Sequence, residues 1–182
     1  FSPGQPLCSA KLLPNQILVI VKGHARVLIR YKERLTTLCK IGPGDIAGLA
    51  SLISAEACEE ISASTAVEAA AITDRQLLSL LREDAEFREW CFSRIWPAEL
   101  NRLLQCVKAR NGQTLQTPPA SIGELCDKAS IVADNNKAID QALREGRRVF
   151  LGSGNTTWEL GREITKQGEN LPDKQPPLPR RW

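Results

Sequence analysis

The side chains best suited to chemistry are few and widely spaced in this 182-residue sequence. The single histidine, His24, has no partner nucleophile in a known motif, since no Gly-x-Ser-x-Gly sequence occurs. The carboxylate pairs Glu59-Glu60 and Glu83-Asp84 are more typical of solvated faces than of a general acid and base. We therefore predict no catalytic residue and interpret His24 as structural.

Thiol chemistry is not indicated either. The six cysteines contain no Cys-x-x-Cys pair, and one histidine is too few for a zinc cluster. We predict no metal site and interpret the cysteines as reduced, mostly buried thiols of a cytosolic domain. They are Cys8, Cys39, Cys58, Cys91, Cys106 and Cys126.

Phosphate-binding glycine loops are also missing. Gly152-x-Gly154 lacks the third glycine of a dinucleotide motif, because residue 157 is Thr, and no Gly-x-x-x-x-Gly-Lys-Ser/Thr sequence occurs. The pair predicts a tight turn and no cofactor. The run Pro176–Arg180 matches a polyproline ligand, although a stiff linker is the commoner use of such composition.

The overall charge excludes further classes of function. A net charge of +3 is too small to indicate a nucleic-acid protein. The longest apolar run, Ile17–Val21, is far too short to cross a bilayer, so we expect a soluble chain. A sequence that starts at Phe1 and contains no methionine is expected to be part of a longer protein.

The first part of the chain has the pattern of an antiparallel β-protein. Short β-rich runs alternate with turn residues from Gln16 to Ile72. Within one run, Val27, Ile29 and Tyr31 share a face, and the opposite face is half polar, as expected for a sheet with one solvated side. The predicted strands are 17–21, 25–31 and 35–41, followed by a turn at 42–45.

Helical patterns follow Ile72. Thr73 or Asp74 can cap a helix through residue 81, residues 84–95 continue with helical spacing, and Pro97 predicts a break or a new first turn. Residues 98–108 predict an amphipathic helix that must be covered by the first part, by the second part or by a partner. Its apolar stripe is Leu100, Leu103, Leu104 and Val107.

The last third of the chain mixes several short elements. Asn111–Ser121 is polar and contains Pro118 and Pro119, which predicts a linker. The proline-dense end, 171–182, is expected to be an extended tether. Between them the predicted elements are helices at 122–130 and 136–144, a strand at 148–151, a turn at 152–155 and a returning strand near 158–160.

One arrangement resembles a known family. The segment Gly42–Ile53, preceded by strands and followed by Ala63–Ile72 and helices, resembles the cyclic nucleotide-binding domain, with Phe1–Gln5 matching its opening Phe-x-x-Gly strand. The resemblance covers residues 1–95. It implies a jelly-roll β-roll of about eight strands closed by a helix.

The expected fold is therefore mainly β with α: a cyclic nucleotide-binding-type β-roll followed by helices and a small α+β appendage. The predicted divisions are the roll with its closing helix (1–95), the amphipathic helix (96–110), the α+β region (111–170) and the tail (171–182).

The resemblance also implies where a ligand would bind. In the family, a Gly-Glu pair and a later Arg-Ser/Thr-Ala motif bind the ribose and the cyclic phosphate. Here Gly48 is followed by Leu49 and Ala50, and Ala57 and Cys58 stand where Arg and Ser/Thr belong. No arginine lies between Arg34 and Arg75. We predict a degenerate site that does not bind cyclic AMP or GMP usefully, with loop glutamates that would repel a phosphate.

The second half leaves three interpretations open. The order of residues 148–182 resembles the segment that joins such rolls to bacterial haemolysin-exporter-like ABC transporters, which implies a regulatory domain on the cytoplasmic side of a transporter that binds ATP elsewhere. A catabolite-activator-type regulator with a winged helix is the alternative, although residues 111–182 carry ten basic and nine acidic residues. The third is a cytosolic interaction domain.

The expected partners follow from these interpretations. They are the remainder of the polypeptide and, as an open possibility, a second copy. We predict no strong nucleic-acid binding, and membrane contact only through the rest of the protein.

Overall fold

The computed structural model describes residues 1–113, 116–132, 135–152 and 162–164. Its strands are β1 (Pro6–Cys8), β2 (Gln16–Lys22), β3 (Ala25–Tyr31), β4 (Arg34–Ile41), β5 (Ile46–Ala47), β6 (Glu60–Ala63), β7 (Glu68–Thr73), β8 (Val149–Phe150) and β9 (Glu163–Ile164). Its helices are α1 (Leu49–Ile53), α2 (Asp74–Glu83), α3 (Ala85–Phe92), α4 (Pro97–Arg110), α5 (Pro119–Lys128) and α6 (Asn136–Arg144).

Strands β1 to β7 form two antiparallel sheets that make up a β-roll. One sheet has the order β1-β6-β3-β4 and the other β5-β2-β7, so sequence neighbours are often separated in space, as in a jelly roll. The predicted β-roll is confirmed as a fold class. Seven strands, rather than about eight, belong to the roll in the described part of the chain.

Strand β2 is buried on both faces from Ile17 to Ile20, which explains most of its continuous apolar sequence, whereas Val21 is exposed. Leu18 and Ile20 belong to the roll interior, together with Val27 and Ile61. Ile17 faces a second cluster, formed with buried residues of α1, α2 and α3. The predicted face of β3 is confirmed, because Val27 and Ile29 are buried whereas Arg26 is exposed.

The opening residues were predicted wrongly. Phe1–Gln5 do not form a strand, because the Gln5 amide donates to the Ser2 carbonyl at 2.9 Å and Gly4 has φ +84° in the resulting turn. The first strand starts only at Pro6.

Helix α2 begins where the capping residues predict. The Gln76 amide donates to Thr73 Oγ1 at 3.3 Å, and the Thr73 amide donates to Gln76 Oε1 at 2.9 Å, which is a capping box. Helix α3 ends at Phe92, earlier than the predicted residue 95, and Pro97 takes the first position of α4. The aromatic rings of Trp90 and Trp96 meet edge to face across this corner.

The apolar stripe of α4 is covered from two sides. Leu100 is buried against Ile29 of β3 and Ile122 of α5, and Leu103 and Leu104 pack at the edge of the same cluster. Helix α5 also contacts β4. The predicted linker at 111–121 is therefore too long, because Pro119 starts α5, where a proline loses no helical hydrogen bond.

The remaining elements are short. Helix α6 starts at the predicted residue, and the Asn135 side chain caps it by accepting from the Ala138 amide at 2.9 Å. Strand β8 is shorter than the predicted 148–151 and pairs with Glu163–Ile164. The predicted turn beyond Gly152, the strand near 158–160 and the tail 171–182 lie outside the described residues.

Within the described ranges, every helix is too short or too polar to span a membrane.

Candidate functional site

The segment between β5 and β6 forms a tight cassette at the end of the roll. Asp45 closes the preceding turn, since the Gly42 amide donates to its Oδ2 at 2.8 Å. Gly48 then has φ +89° and starts the short helix α1. A side chain at Gly48 would meet the Gln16 carbonyl oxygen at 3.2 Å and Cys8 Sγ at 3.3 Å, so both conformation and space favour glycine here.

Ser51 and Glu59 connect the two ends of this cassette. The Ser51 amide donates to Glu59 Oε2 at 2.9 Å. In return, Ser51 Oγ accepts from the amides of Cys58 and Glu59, each at 3.2 Å. The returning loop is thus tied to α1 by three hydrogen bonds, and the carboxyl group of Glu59 lies against the amides that open the helix.

Glu59 is an uncommon residue for so buried a position, being only 5% exposed. Burial raises the pKa of Glu59, and the amides of Ser51, Gly48 and Ala50 partly oppose this by stabilising the charged form. No cation contacts Glu59 in the part of the chain that the structure describes. The carboxyl group is therefore held by backbone dipoles rather than by an opposite charge.

The cysteines beside this network are unsuited to reaction. Burial raises the pKa of Cys58 to about 12, with a further contribution from the nearby Glu59 charge. Burial likewise raises the pKa of Cys8 to about 12. Since the thiolate is the reactive form, both side chains are inert at neutral pH. No group of three or more potential ligands suited to a metal ion occurs among the described residues.

A small cavity lies between the cassette, the larger sheet and the start of α4. Its volume is about 190 Å³, below the roughly 300 Å³ at which pockets for drug-sized ligands begin. It is lined by Val27, Cys39, Ile41, Asp45, Ile46, Ala50, Glu59, Ile61, Trp96, Pro97 and Ala98.

Residues at the start of α4 form one wall of this cavity. Ala98 is 4% exposed and packs with the roll interior. Arg102, one turn further along, forms an ion pair with Glu56 of the cassette loop. Trp96 adds an indole N–H that is buried without an acceptor among the described residues. Helix α4 therefore packs over the cassette, and we refer to it as the lid.

The five predicted site residues are close together in the structure but have different surroundings. Gly48, Leu49 and Ala50 form the start of α1, and Ala57 and Cys58 lie on the loop that returns to it. Of these, Ala50 lines the cavity. Leu49 is fully buried in the helix cluster with Ile17 and Leu77.

The hydrogen bonds between Ser51 and Glu59 were not predicted from the sequence. Glu59 was expected to be one of several repelling loop glutamates, but it alone turns inward, whereas Glu60 binds the Ala10 amide at 2.9 Å. The sequence did contain a signal for this role. The resembled Arg-Ser/Thr-Ala motif ends in Ala, and Glu59, which directly follows Ala57 and Cys58, stands at that last position.

Comparison with known proteins agrees with this architecture. Residues 1–84 match the family model described as the cyclic nucleotide-binding domain. No curated protein matches the sequence.

Solved structures of similar proteins include three informative cases. The regulatory subunit of a cAMP-independent protein kinase A from Trypanosoma brucei is 18% identical, with 50% of this chain and 34% of that chain covered and a TM-score of 0.44. The heme domain of CooA from Rhodospirillum rubrum is 21% identical, with 45% and 58% covered and a TM-score of 0.36. The cAMP-bound EAL enzyme Bd1971 is 17% identical, with 82% and 34% covered and a TM-score of 0.44.

At these identities and scores the three likenesses carry no functional inference for this chain. The chain spans about a third of the length of the kinase regulatory subunit. The fold itself is clear. The first part of the chain has the β-roll fold of the cyclic nucleotide-binding type, and helices follow it.

Proposed function

We propose that the β-roll and its lid form a non-catalytic regulatory or docking domain whose nucleotide pocket is filled by the protein's own groups. The observation that carries this proposal is the Glu59 carboxyl group, whose Oε2 is 2.9 Å from the Ser51 amide at the start of α1. In the resembled family, that region receives a cyclic phosphate. Here a carboxyl group takes up the same kind of hydrogen-bond donors.

Charge and contact energies support this proposal. An incoming cyclic phosphate would approach Glu59 and would find Ala57 in place of the arginine that the family motif provides. Each charge-assisted hydrogen bond that is lost is worth about 1.5 to 3 kcal/mol. The domain then acts through its surface and its connections rather than through a diffusible nucleotide.

Calorimetric titration with cyclic AMP and cyclic GMP tests the proposal. We expect the wild-type protein to bind neither nucleotide more tightly than about 1 mM. The double variant Ala57→Arg/Glu59→Ala removes the internal carboxyl group and restores the cation, so we expect its affinity to rise about tenfold or more. Leu49 stays in place, because Glu at this fully buried position would bury a charge.

The matched control is Glu60→Ala, which removes the adjacent carboxylate that binds the Ala10 amide outside the cavity. We expect it to bind nucleotide as poorly as the wild type. Micromolar binding by the wild-type protein would overturn the proposal. Equal gains in both variants would show that general charge, and not the internal position of Glu59, limits binding.

The larger setting of the domain is part of the proposal. We infer that it regulates or positions the remainder of a longer polypeptide, and a bacterial ABC transporter with the domain on its cytoplasmic side stays our prediction. The open reading frame tests it: apolar spans and a Walker motif after Trp182 support the transporter, whereas a stop codon there contradicts it.

Binding to duplex DNA distinguishes the winged-helix alternative. The near balance of ten basic and nine acidic residues over 111–182 leads us to expect none. A mobility-shift assay that shows strong binding at low salt, lost steeply at physiological salt, would favour the DNA-binding regulator instead.

A further inference from the structure

The outer face of the larger sheet carries cations in an unfavourable arrangement. Arg26 on β3 lies directly opposite Lys40 on β4, and Arg30 lies four residues later on the same face of β3. All three side chains are exposed. Like charges directly opposite each other on antiparallel strands are destabilising, so the fold does not benefit from this placement.

No ion pair compensates these charges within the described ranges of the chain. Among the described residues, the Arg30 guanidinium donates to the Glu33 carbonyl oxygen, at 3.4 Å. Glu60 lies on the same face, opposite Leu28, where its Oε2 accepts from the Ala10 amide, and its single charge offsets one of the three cations. The basic face, defined by Arg26, Arg30 and Lys40, therefore keeps a net positive charge.

Aliphatic side chains lie between the cations. Leu28 separates Arg26 from Arg30 along β3, and Leu35, which is 56% exposed, lies opposite Arg30. Alternate residues of a strand are about 7 Å apart, which is also the spacing of alternate side chains in an extended peptide. Successive residues of an extended segment point to opposite faces, so a segment that complements this face alternates carboxylates and apolar side chains at every second residue, with its carboxylates four residues apart.

We propose that the basic face docks an acidic, extended segment of a partner protein. The small net charge of +3 and the aliphatic side chains between the cations favour an acidic protein over a nucleic acid. The proposal extends the docking role proposed above, and its test uses no cyclic nucleotide. Failure of one proposal therefore leaves the other standing.

Fluorescence anisotropy tests the docking with a labelled peptide of about ten residues in which Glu and Val alternate at every second position and Ser stands between them. We expect the wild-type chain to bind it, with an affinity that falls as salt rises, and to bind the same peptide with Gln in place of Glu much more weakly. The variant Arg26→Gln/Lys40→Gln should lose about tenfold or more in affinity. Its thermal stability should be unchanged or higher, because a repulsive pair is removed.

The matched control is Arg75→Gln/Arg82→Gln, which removes two exposed cations from α2 and leaves the sheet unchanged. It should bind the acidic peptide as the wild type does. Equal losses in the two variants, or no binding by the wild type at low salt, would overturn the proposal.

Two further results would also overturn the docking proposal. The first is tighter binding of a single-stranded oligonucleotide or of phosphatidylserine vesicles than of the peptide. The second is self-association of the wild type in ultracentrifugation that disappears in Arg26→Gln/Lys40→Gln.

Discussion

The backbone of the cassette and the side chains within it have diverged to different extents from the resembled family. The turn at Gly42–Asp45, the left-handed Gly48 and the short α1 form the frame that such a site needs. The side chains at the positions predicted to bind a ligand differ from the family motif, with Leu49 in the helix cluster and Ala57 on the loop. Core packing and glycine conformation hold the frame whatever side chains stand at those positions.

An internal network holds the cassette together. Ser51 and Glu59 satisfy each other's polar groups across the cassette, and Arg102 joins the lid to the same loop. Under the function proposed above, this network takes the place that a nucleotide has in the resembled family.

The largest effect should come from breaking the frame of the roll at Gly23. A Cβ atom there would lie 1.9 Å from the Ala66 carbonyl oxygen, and φ is +84°. We expect Gly23→Ala to lower the free energy of unfolding by about 3 kcal/mol or more, because backbone must move. Urea denaturation measures this.

Gly44→Ala is its control, since Gly44 has φ +89° but nothing within 4 Å of its added Cβ. It should cost only about 1 kcal/mol from the strained backbone. Similar losses at the two glycines would mean that backbone conformation, and not the close approach to Ala66, limits the roll.

The next effect should come from the internal network at Ser51. Ser51→Ala leaves the amides of Cys58 and Glu59 without their acceptor in a buried place. We expect a loss of about 1 to 3 kcal/mol in the free energy of unfolding, measured by denaturation. Ser79→Ala, on the exposed side of α2, should change stability by less than about 0.5 kcal/mol. A neutral Ser51→Ala would contradict the role given to the network.

A pH effect should come from Glu59. Since burial raises the pKa of Glu59, the folded protein holds the proton more tightly than the unfolded chain does. The contribution to stability is full below the unfolded value of 4.5 and is lost as pH rises through the folded pKa. Each unit by which the pKa is raised corresponds to about 1.4 kcal/mol.

Glu59→Gln keeps an acceptor for the Ser51 amide but cannot titrate. We expect its stability to fall less than that of the wild type between pH 4.5 and neutrality, in denaturation curves at a series of pH values. Parallel pH profiles for the two proteins would show that Glu59 keeps an ordinary pKa.

The smallest effect should come from the lid contact between Arg102 and Glu56. The two side chains are 36% and 28% exposed, and solvent screening limits such pairs to about 0 to 1 kcal/mol. A double-mutant cycle with Arg102→Gln and Glu56→Gln should therefore give a coupling energy below about 1 kcal/mol. A coupling energy above this value would show that the ion pair contributes substantially to holding α4 against the cassette.

Local sequence patterns correctly predicted those features of the fold that depend on interactions between residues close in sequence. The alternation within β3, the cap at Thr73 and the start of α4 at Pro97 depend on residues close in sequence, and each occurs as expected. The opening strand and the length of the linker were wrong, because the turn around Gly4 and the docking of α5 depend on contacts that local patterns do not show.

The sequence by itself determined the β-roll and its glycine turns, since these follow from periodicity, turn chemistry and residue type, and the resemblance led to the prediction of a degenerate ligand site. Only the tertiary structure decided that Glu59 turns inward to the amides of α1 while Glu60 faces the β1–β2 turn. Both are adjacent glutamates with the same local chemistry. Their different roles arise because successive residues entering a strand point to opposite faces, and the surrounding fold determines which of those faces is buried.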